Sequence, residues 1–152
     1  MKRDKIMRVS WDEYFIGIVD LIKTRSTCLR RQVGALIVKD KRILATGYNG
    51  SPVNCEHCLD VGCIRERLNV NSGEKHELCR SIHAEQNAIV QAANTGVSIK
   101  DSIIYISHQP CVLCSKIIIN AGIIEVVYRE DYPDKIGLEL LKESNIKVRK
   151  IS

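Results

Sequence analysis

The sequence predicts an α/β domain, a sheet with helices packed on its faces. Three observations carry that expectation. An amphipathic helical stretch opens the chain, two apolar runs joined by a polar turn follow it, and from His83 onward helical and strand patterns alternate to the end. The 152 residues have the length of one domain, taken as a single unit over 1–152 with a Cys/His-rich insertion at about 51–82. Hydrophobic residues at 45% and charged residues at 27% are ordinary globular usage, which excludes a disordered or fibrous chain.

The first helix is expected over about 11–25. Ser10 followed three residues later by Glu13 has the form of a capping box, and Trp11, Tyr14, Phe15, Ile18, Leu21 and Ile22 then recur at helical spacing. Residues 33–38 and 43–47 are apolar runs separated by the polar turn 39–42, a β-hairpin whose first strand is buried on both faces. Tyr48-Asn49-Gly50-Ser51-Pro52 is dense in turn residues and opens an irregular stretch to about Ile82. A loop of that length in a compact domain is usually functional, disordered or stapled, and its cysteines favour stapling.

Residues 83–94 read as a helix with Gly96 past its end. A strand is expected over 102–107, a helix over 111–121 stopped by Gly122, a strand over 124–128, a helix over 134–144 and a last strand over 146–150.

The basic start, Met1 to Arg8, has neither an apolar core nor a small-residue cleavage site and does not read as a signal peptide. No apolar run approaches the ~18 residues of a membrane-helix candidate. Seven cysteines in such a chain point to a reducing compartment and metal ligation rather than a disulfide framework, with the cytoplasm as the expected location. The net charge of +5 suits an anionic small ligand as well as nucleic acid. Aromatics at 5% argue against a surface that stacks successive bases.

His83-Ala84-Glu85 and Pro110-Cys111-Val112-Leu113-Cys114 carry the chemistry. A catalytic zinc site offers three protein ligands and an open position for water. Cys111 and Cys114, three apart at the start of a helix, present both sulfurs on one face, where the helix N-terminus favours the thiolate. His83 supplies the third ligand. Glu85, two residues on, needs no bond to the metal and is placed to take the proton of the bound water and return it to the reacting ring. A lone Cys-x-x-Cys is more often structural zinc or a redox pair, and a lone His-x-Glu is more often a helix surface. Their joint occurrence, with the proline in place, is the signature of zinc nucleobase deaminases.

On these residues the chain resembles the cytidine deaminase superfamily, and within it the deoxycytidylate (dCMP) deaminase family. The resemblance runs from Trp11 to about Val148 and includes Trp11-Asp12-Glu13-Tyr14-Phe15, Gln32-Val33-Gly34-Ala35, Gly47-Tyr48-Asn49-Gly50-Ser51-Pro52, His83-Ala84-Glu85-Gln86-Asn87-Ala88-Ile89 and the segment from Pro110 to Lys116. It implies a three-layer α/β/α fold around a five-stranded mixed sheet, often in homohexamers. The implied reaction is hydrolysis of dCMP to dUMP and ammonia, supplying the precursor of thymidylate, with zinc hydroxide attacking C4 and Glu85 as proton shuttle.

Asn49 and Ala84 fall at substrate-contact positions, Asn49 towards the sugar. Cys28 and Cys58 match positions where some members hold a second, structural zinc, which Cys79 with Cys63 or His57 would complete; Cys55 is the spare. For the phosphate, Arg25 and Ser26 are the expected contacts, with Arg30 and Arg31 as neighbours that serve equally, and Tyr132 as a residue bordering either the pocket or solvent. Regulation by dCTP and dTTP, with Mg2+ accompanying the effector, belongs to the same implied set. Two other readings remain: a deaminase of bases within nucleic acid, which the scarcity of aromatics disfavours, and a non-catalytic zinc-stapled module, which has no use for Glu85.

Overall fold

Ser10 closes the predicted capping box: its Oγ accepts the Glu13 backbone N–H at 3.1 Å, and the Glu13 carboxylate accepts the Ser10 N–H at 3.1 Å. The helix it starts, α1, spans Trp11–Lys23 in the computed structural model, which describes residues 6–152. Met1 to Lys5 of the basic opening stretch therefore lie outside the described residues.

The hairpin follows as β1 (Gly34–Lys39) and β2 (Arg42–Tyr48), turned by Asp40 and Lys41, both with positive φ. Beyond the Cys-rich insertion come α4 (Ala84–Thr95), β3 (Ile103–His108), α5 (Val112–Asn120), β4 (Glu125–Glu130), α6 (Ile136–Glu143) and β5 (Lys147–Lys150). The five strands make one mixed sheet in the order β2-β1-β3-β4-β5. The β1 strand runs antiparallel to both β2 and β3, whereas β3, β4 and β5 are parallel.

Alternation along the strands creates two cores, because successive side chains leave opposite faces. Leu36, Val38, Tyr105 and Val127 meet Phe15, Ile16 and Val19 of α1 on one face. Ala35, Ile37, Ile104, Ile106 and Val126 meet Ala84, Ala88 and Ala92 of α4, Ile118 of α5 and Leu141 of α6 on the other. The result is the expected three-layer α/β/α architecture around a five-stranded sheet. Element ends differ from the sequence reading by a few residues, because a helix ends where its caps form rather than where its apolar stripe fades.

The insertion is less irregular than its sequence suggests. It holds α2 (Cys58–Val61), α3 (Ile64–Arg67) and a 3-10 turn at His76–Leu78. Each is about one turn long, too short to display a helical period. Among the described residues no helix is long and apolar enough to cross a membrane.

Candidate metal centre and active-site cavity

His83 is the N-cap of α4, extended at φ −67° and ψ 152°, with the Gln86 side-chain oxygen accepting its N–H at 2.9 Å. An antiparallel bridge delivers it: Gly50 and Ile82 exchange backbone hydrogen bonds of 3.2 and 2.8 Å. The Asn87 amide donates to the Tyr48 carbonyl at 2.8 Å, which ties the following turn of α4 to the same loop. Cys111 is the N-cap of α5, and Cys114 lies three residues further along. Just before them, buried Gln109 donates to the Asp134 carbonyl at 2.7 Å and accepts from the Lys135 ammonium at 3.0 Å. That clamp fixes the chain as it enters the first cysteine.

These two helix starts bring the predicted ligands together. His83 Nδ1 lies 3.2 Å from the Cys114 sulfur and 3.4 Å from that of Cys111. The three ligand atoms all fall within 4.8 Å of one another, the one such group of His, Cys, Asp or Glu among the described residues. Tetrahedral zinc with ordinary Zn–N and Zn–S bonds has an N···S edge of ~3.6 Å. The donor set and its spacing fit that ion.

The electrostatics follow from burial. The Cys111 thiol is pulled down to about 4, first by the hydrogen bond from Cys114 and then by that from His83, against the cost of burial. Cys114 moves the opposite way, because the same hydrogen bond and burial hold its proton. Burial lowers the His83 imidazole, but its hydrogen bond to Cys111 and the charge of Glu85 outweigh this and leave it above its usual value. Glu85 is only 5% exposed, and desolvation raises its carboxyl above the usual range. A carboxyl of raised pKa beside a candidate metal-ligand set is better able to take up a proton and hold it than an ordinary exposed one.

The site borders one cavity of about 580 Å³. His83, Glu85 and Cys111 contribute to its wall, with Ala84 and Asn49 as expected. Asn49 is already half committed: its carbonyl oxygen accepts from Val33 N at 2.9 Å and its amide donates to the Arg31 carbonyl at 2.7 Å. One N–H and one lone pair remain for a ligand. Tyr132 also lines the cavity, its hydroxyl 3.2 Å from His76 Nε2.

Arg25 and Ser26 are absent from that lining, and the Ser26 hydroxyl instead accepts the Cys28 N–H at 3.2 Å. Arg30 and Arg31 line the cavity in their place, together with Arg65, His76 and His108. Sequence reasoning did not place Arg65, His76 or His108 at this cavity. Arg65 sits in a one-turn helix and His76 in a 3-10 turn, where no periodicity tells which way a side chain points. His108 is held by the Ser107 hydroxyl 2.9 Å from its Nδ1, and burial, followed by the charge of Arg31, lowers its pKa to about 4.

Cys28 and Cys79 line the cavity as well, while Cys58 and Cys63 are buried. The Cys58 sulfur lies 3.7 Å from the Ser81 hydroxyl, and the four thiols do not converge as closely as the His83 group. Cys55 is exposed.

The family model for the cytidine and deoxycytidylate deaminase zinc-binding region matches residues 9–130. ComE operon protein 2 of Bacillus subtilis is 43% identical over 145 residues, covering 95% of this chain and 72% of that protein. The deoxycytidylate deaminase of Saccharomyces cerevisiae is 39% identical over 150 residues, covering 97% of this chain and 46% of the relative. The chain thus spans under half the length of that yeast relative. Among solved structures, the dCMP deaminase of the cyanophage S-TIM5 in complex with dCMP and dUMP superposes with a TM-score of 0.76 at 32% identity, over 96% of this chain and all of that one.

Proposed function

The chain belongs to the cytidine and deoxycytidylate deaminase family, and from that premise we propose that it hydrolyses dCMP to dUMP and ammonia. One observation carries the reading. A buried Glu85 carboxyl stands beside a His/Cys/Cys donor set, and Glu85, His83 and Cys111 open onto a cavity that three arginines line. A structural metal site has no need of such a carboxyl, and a site for an uncharged nucleoside has no need of so many cations.

Zinc, when bound, supplies the acidified water that attacks the ring near neutral pH. His83, Cys111 and Cys114 would hold it. Glu85 would take one proton of that water and deliver it to N3 of the cytosine, then carry the second proton, released as the C4 hydroxyl becomes a carbonyl, to the departing amine. Asn49 offers its free amide hydrogen to the sugar, and Ala84 lends the first turn of α4 as a wall.

A second, structural zinc between Cys28, Cys58, Cys63 and Cys79 would pin the insertion. Burial pushes the Cys58 thiol up, and the charges of Cys79, Cys28 and Cys63 push it further against the Ser81 hydrogen bond, a penalty that a cation among them removes. We also take the chain to work in the cytoplasm as a homo-oligomer, a hexamer by resemblance. Exposed Val90, Leu113, Ile117 and Ile124 are apolar surface for such contacts. Activation by dCTP and inhibition by dTTP, with Mg2+ on the effector, complete the reading.

The test is a turnover assay with dCMP, deoxycytidine and dCTP, each with and without effector, alongside zinc content per chain and mass by light scattering. Rapid dUMP formation supports the activity, and two zincs per chain support the second site. No turnover of any free nucleotide by zinc-loaded protein overturns it.

A further inference from the structure

Arg30, Arg31 and Arg65 all line the cavity, but they are not equivalent. Arg30 faces the Glu66 carboxylate at 3.8 Å and donates to the Val70 carbonyl at 2.5 Å. Arg31 lies over the Tyr132 ring, 5.4 Å from its centroid, and reaches the Ser72 hydroxyl at 3.4 Å. Arg65 has neither an acidic nor an aromatic partner. It is 8% exposed, one Nη1 hydrogen goes to the Glu74 carbonyl at 3.0 Å, and its Nε is buried with no hydrogen-bond partner. Among the described residues no carboxylate lies within 4.0 Å of it, the cavity residues Glu66 and Glu85 included.

A guanidinium does not shed its proton at neutral pH, and an unpaired, desolvated charge is costly to keep. A cavity that retains one is short of an anion. We propose that Arg65 binds the 5′-phosphate of a nucleoside monophosphate in this cavity and thereby sets its preference over the free nucleoside. The inference rests on the deaminase reading above. Among the described residues Nη1 keeps one free N–H and Nη2 donates to nothing, and these two nitrogens form the fork that grips two phosphate oxygens, while the buried Nε leaves the charge undersatisfied. The Glu74 carbonyl on Nη1 anchors the guanidinium without neutralising it. Arg65 also faces the interior of the site, where its charge is felt at His76 and Tyr132.

Calorimetric titration of zinc-loaded protein with dUMP and with deoxyuridine tests this without requiring turnover. Arg65→Met is expected to weaken dUMP by about 100-fold, the worth of two charge-assisted hydrogen bonds, and to erase most of its advantage over deoxyuridine. Arg65→Lys keeps the charge but not the fork and is expected to lose about tenfold. Should Arg65→Met not fold, Arg65→Lys decides. An unchanged dUMP-over-deoxyuridine ratio in the folded variant overturns the assignment. Selective dUMP binding by a protein that deaminates nothing would leave Arg65 in place and remove the deaminase reading instead.

Discussion

Gly47 of β2 packs directly beneath Ala88 of α4: a Cβ added to Gly47 would stand 2.5 Å from the Ala88 backbone nitrogen. Nothing but a hydrogen fits there, because the obstruction is helix backbone rather than a side chain that could turn away. The same helix starts at His83 and carries Glu85, so the closeness of this contact sets how far the Glu85 carboxyl stands from the sheet. Gly47→Ala is expected to force α4 outward, lowering stability by about 1–3 kcal/mol. It should weaken zinc retention along with turnover. Urea unfolding and metal analysis of the same preparation check it, and a stable, fully loaded variant would show that the helix has slack.

Replacing Glu85 by Gln removes the titratable carboxyl while keeping its size. Zinc should remain bound, since the donor atoms belong to His83, Cys111 and Cys114. Turnover of dCMP should fall by at least about 10²–10⁴, the usual worth of a positioned general acid–base group. Metal content measured beside kcat separates this outcome from simple loss of the site. Unchanged kcat would remove Glu85 from proton transfer.

Cys114 is fully buried and absent from the cavity wall, while Cys111 lines it. Cys111→Ser and Cys114→Ser should both abolish zinc binding at this site and activity with it, because a hydroxyl is a poor zinc ligand beside a thiolate. Chelation of the unmodified protein should likewise stop turnover, and added zinc should restore it. Recovery with zinc in either serine variant would exclude that sulfur as a ligand.

The candidate metal ligands were legible in sequence for a physical reason. Each helix they open announces itself through an apolar stripe, and a residue at a helix start has its direction set by the cap. The sheet was legible too, since Leu36 and Ile37, or Val126 and Val127, are apolar pairs whose members must face opposite cores. The arginines that line the cavity were not. Residues 24–33 and the insertion lie outside long elements, so nothing local tells that Arg25 turns from the cavity while Arg30, Arg31 and Arg65 turn into it. Asn49 was recognisable as a turn residue near the site, yet its two backbone partners, Arg31 and Val33, lie in the segment before β1 that only the fold brings close.

The ends of the domain are joined by Asp12 and Arg149, with Arg149 donating to both Asp12 oxygens at 2.7 and 3.1 Å and Tyr105 donating at 2.7 Å. The hydrogen bond from Arg149 outweighs burial and holds Asp12 at about 2, below its ordinary 3.8. A folded-state pKa below the unfolded one means that the unfolded chain binds more protons in that window, so stability rises with pH there. The contribution of Asp12 is fully present above about 3.8 and is lost as pH falls through about 2. Asp12→Ala should therefore unfold more readily than the parent above pH 4, with the gap closing as the pH approaches 2. Metal release in acid affects both proteins alike, so the difference between their urea midpoints at each pH isolates the pair. A gap that stays constant from neutral pH down to acid would mean that Asp12 acts as a helix-start residue and not as the anion that ties α1 to β5.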